Sequence, residues 1–291
     1  MSENLKLYDF EPRVPEQSLT ALKDNVHQAD CITLMQRMPA ASVDMVFADP
    51  PFNLKKKYAS YKDNLPFREY MEWTELWIQE SLRILKPSGS LFVYNIPRLL
   101  TYTAGILDEL AYFRHWIAWN SHGRPLGKTM QPAHYGILFY SKSKELKFYD
   151  VRAPHLTCRS CKKYLTDYGG KEHLRHKFGY QISDVWNDIH RVRHNVRRID
   201  SHPCQLPVPL IERMILMTTD ERDIVFEPFA GSGTGAVATK QMGRMYIGAE
   251  IDPAYCRIAR TKLRAAQPTK LGPHYASRYL KKIVSMRAVD L

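Results

Sequence analysis

The stretch VDMVFADPPFNL, from Val43 to Leu54, limits what this chain can fold into more than any other. Met45 to Ala48 are consecutively apolar, as a strand buried on both faces would be. The run then ends at an aspartate and two prolines. Proline has no backbone donor and cannot continue a central ladder, so the strand stops where Asp49 begins. That leaves Asp49, Pro50, Pro51 and Phe52 at its carboxyl edge. In open α/β sheets ligands bind at that edge. A carboxylate, a stiff proline pair and an aromatic face therefore stand together where chemistry is done.

The segments around this strand alternate. FREYMEWTELWIQESLRIL carries apolar residues at helical spacing before KPSG stops it, and SLFVYN is a strand. ILDELAYF reads as a helix, HWIAWN and HYGILFYSK as strands. After an irregular stretch, VPLIERMILMTT is a helix, DIVFEPFAGSGTGAVATKQM a strand, glycine loop and helix, RMYIGAEI a strand and AYCRIARTKLRAA a helix. Such alternation predicts an α/β fold with a doubly wound, mostly parallel sheet. Four segments result: 1–150, the half that carries DPPF and its neighbouring strands; 151–200, an irregular insertion; 201–266, the half with the glycine loop; and 267–291, a basic tail with no role assigned. There is no internal repeat.

The 291 residues suit one large domain with an insertion. No apolar run approaches a membrane span, and MSENLKLYDFEPR lacks a signal pattern, so the expectation is a cytoplasmic protein with no membrane partner. Five cysteines, an odd number, do not suggest a disulfide framework. The net charge of +12 points toward a polyanion, and the insertion concentrates it, with 11 Lys and Arg against 5 Asp and Glu.

Gly231, Gly233 and Gly235 lie between a strand and a helix, where missing side chains permit a tight turn and close approach of a ligand to backbone amides. A dinucleotide-binding frame would have to run from Gly231 to Ala236. No P-loop lysine follows, which disfavours a nucleoside triphosphate. The next strand ends at Glu250, placed to accept hydrogen bonds from ribose hydroxyls; the alternative is that Glu250 caps the following helix.

Together these motifs resemble the S-adenosyl-L-methionine-dependent DNA amino-methyltransferases. DPPF at Asp49 to Phe52 is similar to their catalytic tetrapeptide, and FAGSGT, comprising Phe229, Ala230, Gly231, Ser232, Gly233 and Thr234, is similar to their cofactor loop. The catalytic motif comes first, with the basic segment between the two. This circularly permuted order resembles the β class, in which the target-recognition region lies in the middle. The resemblance covers most of Asn25 to Ala265 and implies a Rossmann-like methyltransferase fold. It further implies that Asp30 sits near the cofactor's adenine, and that SHPCQLP, with His202, Pro203 and Gln205, touches the methionine moiety. The sequence departs from the family pattern at Leu206, where Lys is common, at Tyr135, where Glu commonly follows the His, and at Glu227, where Asp is commoner.

The implied chemistry answers to the residue types. An exocyclic amino group is a poor nucleophile because its lone pair is delocalised into the ring. Asp49 and the Pro50 carbonyl can accept its two N–H bonds and favour a pyramidal nitrogen, a task for preorganised acceptors. Attack on the sulfonium methyl is then an in-line displacement governed by positioning. The base must leave the duplex, and Phe52 can stack on it. Alone, DPPF would read as a strand-ending turn.

In the insertion, Lys162, Lys163, Arg191, Arg193, Arg197 and Arg198 interleave with aromatic residues as a surface for double-stranded DNA would, a solvated loop being the plainer reading. Cys158 and Cys161 have zinc-knuckle spacing, and His173 and His176 could complete four ligands, with His155 in competition. Two reduced thiols are the favoured reading over a structural zinc.

The expected activity is methyl transfer to N6 of adenine in DNA. The alternatives are N4 of cytosine, a DNA-binding module without catalysis, and a nicotinamide oxidoreductase, which would leave DPPF idle. Relatives of the β class often form dimers, so a homodimer and a separately acting cognate restriction endonuclease enter as candidate partners.

Overall fold

The computed structural model describes residues 17–56, 63–123, 129–155, 157–158, 160–165, 169–177, 179–192, 205–269 and 277–284. The elements of the first half are α1 (Leu19–Leu22), β1 (Asn25–Gln28), α2 (Cys31–Gln36), β2 (Val43–Ala48), α3 (Phe67–Ile84), β3 (Leu85–Asn95), α4 (Pro97–Leu110), β4 (Tyr112–Asn120), β5 (His134–Ser141) and β6 (Glu145–Ala153). The short strands β7 (Tyr180–Gln181) and β8 (Val185–Trp186) follow, then α5 (Val208–Thr218), β9 (Ile224–Glu227), α6 (Thr234–Gln241), β10 (Met245–Glu250), α7 (Pro253–Ala265) and β11 (Ser277–Val284).

Eight strands form one sheet in the order β1-β10-β9-β2-β3-β5-β4-β8, and β11-β6-β7 form a second. From β1 to β3 every pairing is parallel. The exception is β5, which runs antiparallel to both its neighbours, β3 and β4. The sheet is therefore mostly parallel, as the alternating pattern predicts.

All six residues of β2 are buried, the apolar run Met45–Ala48 together with Asp44, whose carboxylate is paired with Lys86 at 2.9 Å. One face of the sheet is covered by α2, α3 and α4, where Trp77, Ile78 and Leu100 are fully buried with Val46 and Leu138. α5 covers the other face, packing Leu210, Met214 and Ile215 on Phe47, Phe92 and Val225. Helix α3 begins directly after Pro66. At its other end Arg83 donates to the carbonyls of Met35 and Met38, at 2.5 and 2.9 Å, joining α3 to the end of α2. KPSG does not separate helix from strand as the sequence suggests. It forms the start of β3, with a register shift opposite Val43 and Met45. Similarly, β4 begins at Tyr112, within the stretch that reads as helix.

The basic segment is tied to this frame. β8 adds to the sheet beside β4, Trp186 is buried, and Trp119 Nε1 donates to the Ile189 carbonyl at 2.8 Å. The carboxyl-terminal stretch contributes β11, paired along its whole length with β6. Among the described residues no helix is long and apolar enough to cross a membrane.

Candidate active site

Strands β9 and β2 are neighbours in the sheet although about 180 residues separate their pairing positions, Val225 and Met45. To one side of this pair the order runs through β10 and β1, to the other through β3. The strand order reverses here, which is where an open α/β sheet opens a crevice beyond its carboxyl ends. The edge of β2 carries Asp49 to Phe52 and the edge of β9 carries Glu227 and the glycine loop. Both line a single pocket, together with Asp30, Gln205 and Glu250.

The glycine loop owes its shape to backbone conformations that glycine tolerates. Gly231 and Gly233 have φ of 50° and 86°, in the left-handed region. An added Cβ at Gly233 would also lie 2.7 Å from Ala259 Cα, so this glycine lets α7 pack against the loop. Gly231 N–H donates to Glu250 Oε2 at 2.7 Å, and Asp252 N–H to Glu250 Oε1 at 2.7 Å. Glu250 therefore does not cap α7. Asp252 does, accepting from Ala254 and Tyr255 N–H ahead of Pro253. Each Glu250 oxygen keeps a lone pair for a further donor, as ribose hydroxyls would supply. Asp30 caps α2 through Thr33 and lines the same pocket.

Four carboxyls line this cavity, and the acidities of three of them, Asp49, Glu227 and Glu250, are perturbed together. Burial pushes Asp49 up to about 7, with Lys56 pulling the other way. Burial also raises Glu250 to about 7 against its two backbone donors. Glu227 is raised well above the usual range by burial, with the Tyr246 hydroxyl, 2.6 Å from Oε2, opposing the shift, and the charges of Asp49 and Glu250 adding to it. Such a pocket favours a cationic ligand, which relieves the cost of ionising all three.

The residues present fit S-adenosylmethionine on this ground and on two others. Among the described residues Gln205 Oε1, buried in the pocket lining, has no hydrogen-bond partner, leaving an acceptor for a ligand donor. Trp73 and Phe229, ring centroids 5.5 Å apart, supply an aromatic wall.

Past the proline pair, Tyr70 donates to the Pro51 carbonyl at 2.9 Å. Phe52 packs near Tyr94 and Tyr135, at centroid distances of 5.8 and 6.4 Å, and Trp119 lies 6.0 Å from both tyrosines. Phe52 thus heads a cluster of four aromatic rings. Trp73, Lys56 and Tyr255 also line the pocket, and none belongs to a motif legible in the sequence. Their only local signal is membership of an amphipathic helix or a lysine run.

Other candidate residues fall elsewhere. His202, Pro203, Arg193, Arg197 and Arg198 lie outside the described residues. Arg191 is exposed at the carboxyl end of β4, its N–H donating to the Ser121 carbonyl at 3.3 Å; Lys162 and Lys163 are exposed in the turn after Cys161. The four suggested zinc ligands are not brought together: among the described residues no three His, Cys, Asp or Glu side chains form a metal-holding group. Cys158 and Cys161 share a turn, while His155 Nε2 bonds the His176 carbonyl at 2.8 Å.

A Rossmann-like sheet, a glycine loop at its switch point and an acidic pocket shared with DPPF define the architecture of a methyltransferase that uses a nucleoside cofactor. A family model described as DNA methylase, covering the N6 and N4 methyltransferases, matches residues 43–261. The chain belongs to this family of S-adenosylmethionine-dependent DNA amino-methyltransferases. It is 39% identical over 242 residues to the type II methyltransferase M.BamHI of Bacillus amyloliquefaciens, a match covering 82% of this chain and 56% of that one. It is 29% identical over 273 residues to the DNA adenine methyltransferase YhdJ of Escherichia coli strain K12, covering 90% and 88%. The structure of the cytosine-N4-specific PvuII DNA methyltransferase shares the fold, with a TM-score of 0.59 at 20% identity over 81% of this chain and 85% of that one.

Proposed function

We propose that this protein is a site-specific DNA methyltransferase that moves a methyl group from S-adenosylmethionine to an exocyclic amino nitrogen, with N6 of adenine as the favoured target. The observation that carries the reading is the junction of β2 and β9, where Asp49 and the glycine loop face one acidic pocket. The likeness to YhdJ over nine-tenths of the chain supports adenine.

When bound, the cofactor supplies an electrophilic methyl on a sulfonium sulfur. The chain's residues do the rest. Glu250, Asp30 and the amides of the glycine loop orient the nucleoside, and Asp49 with Glu227 balances the positive charge. Asp49, ionised, accepts one amino N–H of the target base and the Pro50 carbonyl accepts the other, which localises the nitrogen lone pair. Phe52 stacks on the extruded base, its ring supported by Tyr94 and Tyr135. The exposed Arg191, Lys162 and Lys163, with the further arginines of the insertion, act on double-stranded DNA phosphates.

Digestion of DNA treated with the protein and labelled S-adenosylmethionine, followed by separation of the nucleosides, tests the reading. Labelled N6-methyladenine is expected. Labelled N4-methylcytosine would transfer the chemistry to the other base, and no label in either would remove the activity. Asp49→Ala should abolish labelling while binding S-adenosylmethionine.

A further inference from the structure

We infer that Lys56, on the loop following DPPF, holds the carboxylate of the cofactor's methionine moiety; the inference rests on S-adenosylmethionine being the pocket's ligand. That moiety carries a carboxylate, and the cavity it enters is lined by Asp30, Asp49, Glu227 and Glu250. In such surroundings an anionic group is repelled unless a cation faces it. Among the described residues, Lys56 is the one lysine or arginine in the lining. Leu206, which also lines the cavity, is apolar and offers no charge. Lys56 Nζ lies 5.2 Å from the centre of the Phe52 ring, so the charge stands at the DPPF end of the cavity, away from Glu250 and the ribose site.

The loop is built to keep it there. Asn53 and Lys55 have φ of 53° and 60°, conformations that cost energy for side chains other than glycine. Asp63, 2% exposed, offsets that cost with its carboxylate. Oδ1 accepts from Asn53 N–H at 2.7 Å, and Oδ2 accepts from the N–H groups of Leu54 and Lys56, each at 3.0 Å. Lys55 N–H donates to the Asp63 carbonyl at 2.6 Å, and Asn53 Nδ2 to the Leu65 carbonyl at 2.8 Å. One buried carboxylate therefore fixes the backbone from which Lys56 projects. Asp63 is a positioning residue and Lys56 the binding group.

Calorimetry with two ligands tests this: S-adenosylmethionine, and its decarboxylated analogue, which keeps the sulfonium and the amine. Lys56→Met should weaken the first by about 10- to 100-fold, the range of a charge-assisted hydrogen bond, and leave the second unchanged. Lys56→Arg should restore most of the loss, and Asp63→Ala should reproduce it in part with the same preference between ligands. Equal losses for both ligands, or none, would overturn the assignment. If the wild-type protein binds neither, the cofactor reading itself fails, a result distinct from a wild type that binds both and a Lys56→Met variant that does so equally well.

Discussion

Tyr70, at the start of α3, donates its hydroxyl to the carbonyl oxygen of Pro51 at 2.9 Å. The tetrapeptide is therefore held from outside its own strand, by a helix that begins 15 residues after Phe52. Tyr70 is 2% exposed, and its ring packs on Trp73, which lines the pocket. Losing the bond would leave the Pro51 carbonyl unsatisfied and free the loop to shift.

Tyr70→Phe removes one hydroxyl and leaves the ring. A tenth of an ångström matters less here than the angle at which Pro50 and Asp49 present their acceptors, so turnover should fall by about 10-fold, with a stability loss of about 1–2 kcal/mol. Cofactor affinity should stay within about twofold. Single-turnover kinetics and calorimetry separate the two, and an equal loss in both would show that Tyr70 serves the pocket as a whole.

Asp49 and Glu250 are both raised to about 7, so the protein should respond to pH in a definite direction. Between the ordinary carboxylate range of about 4 and their folded values, these groups hold protons that the unfolded chain has released. They therefore contribute stability that is complete at low pH and is lost as pH rises through about 7. S-adenosylmethionine, a cation, should reverse the penalty by favouring the ionised forms. The thermal shift it produces should thus be larger at pH 8 than at pH 6, and methylation should rise through about 7 as Asp49 ionises. In Asp49→Asn the dependence of the thermal shift on pH should shrink; an unchanged dependence would place the titration elsewhere.

Gly235 is the third glycine of the loop, and its role differs from that of the other two. It is helical, so alanine would ordinarily be preferred there. A Cβ would instead strike the Glu227 carboxylate, meeting Cδ at 2.7 Å and Oε1 at 2.8 Å. Gly235→Ala should cost about 1–3 kcal/mol and displace Glu227 from the pocket. Glu227→Asp, shorter by one methylene, should relieve the collision, so the double variant should be more stable in urea than Gly235→Ala alone. Additive losses would mean that the contact does not govern the site.

The parts legible in the sequence are those where a local pattern has one physical solution. The apolar run of β2 must be buried, Pro50 must end it, and glycines between a strand and a helix must turn tightly. What local patterns do not encode is adjacency. Nothing in Ile224–Glu227 or Val43–Ala48 states that they pair, yet that pairing makes one pocket of two motifs. The antiparallel course of β5 is hidden for the same reason, because an apolar run such as ILFY suits either direction. Asp63 and Lys56 are not legible because their surroundings read as polar loop, and Trp73 is not because an aromatic on an amphipathic helix reads as core.

The Asp188 carboxylate answers a question that the arginine-rich insertion raises, namely which cation anchors it. The structure supplies Arg213 of α5, whose Nη1 and Nη2 donate to Asp188 Oδ1 and Oδ2 at 2.9 and 2.5 Å. Arg213 has a side chain only 2% exposed, and its guanidinium also lies 5.0 Å from the centre of the Trp186 ring, so a bidentate carboxylate and an aromatic face both meet its buried charge. Asp188→Ala would take the bidentate carboxylate away from a buried guanidinium and should cost about 3–5 kcal/mol. Arg213→Met with Asp188→Ala removes both charges and keeps much of the volume, so most of that loss should return. The insertion should then remain docked, and the double variant should bind DNA with the salt dependence of the wild type. Guanidinium denaturation of the two variants measures the first expectation and DNA affinity across a salt series the second. A double variant as unstable as Asp188→Ala would show that the pair is needed for more than mutual neutralisation, and that α5 holds the insertion through the ion pair itself.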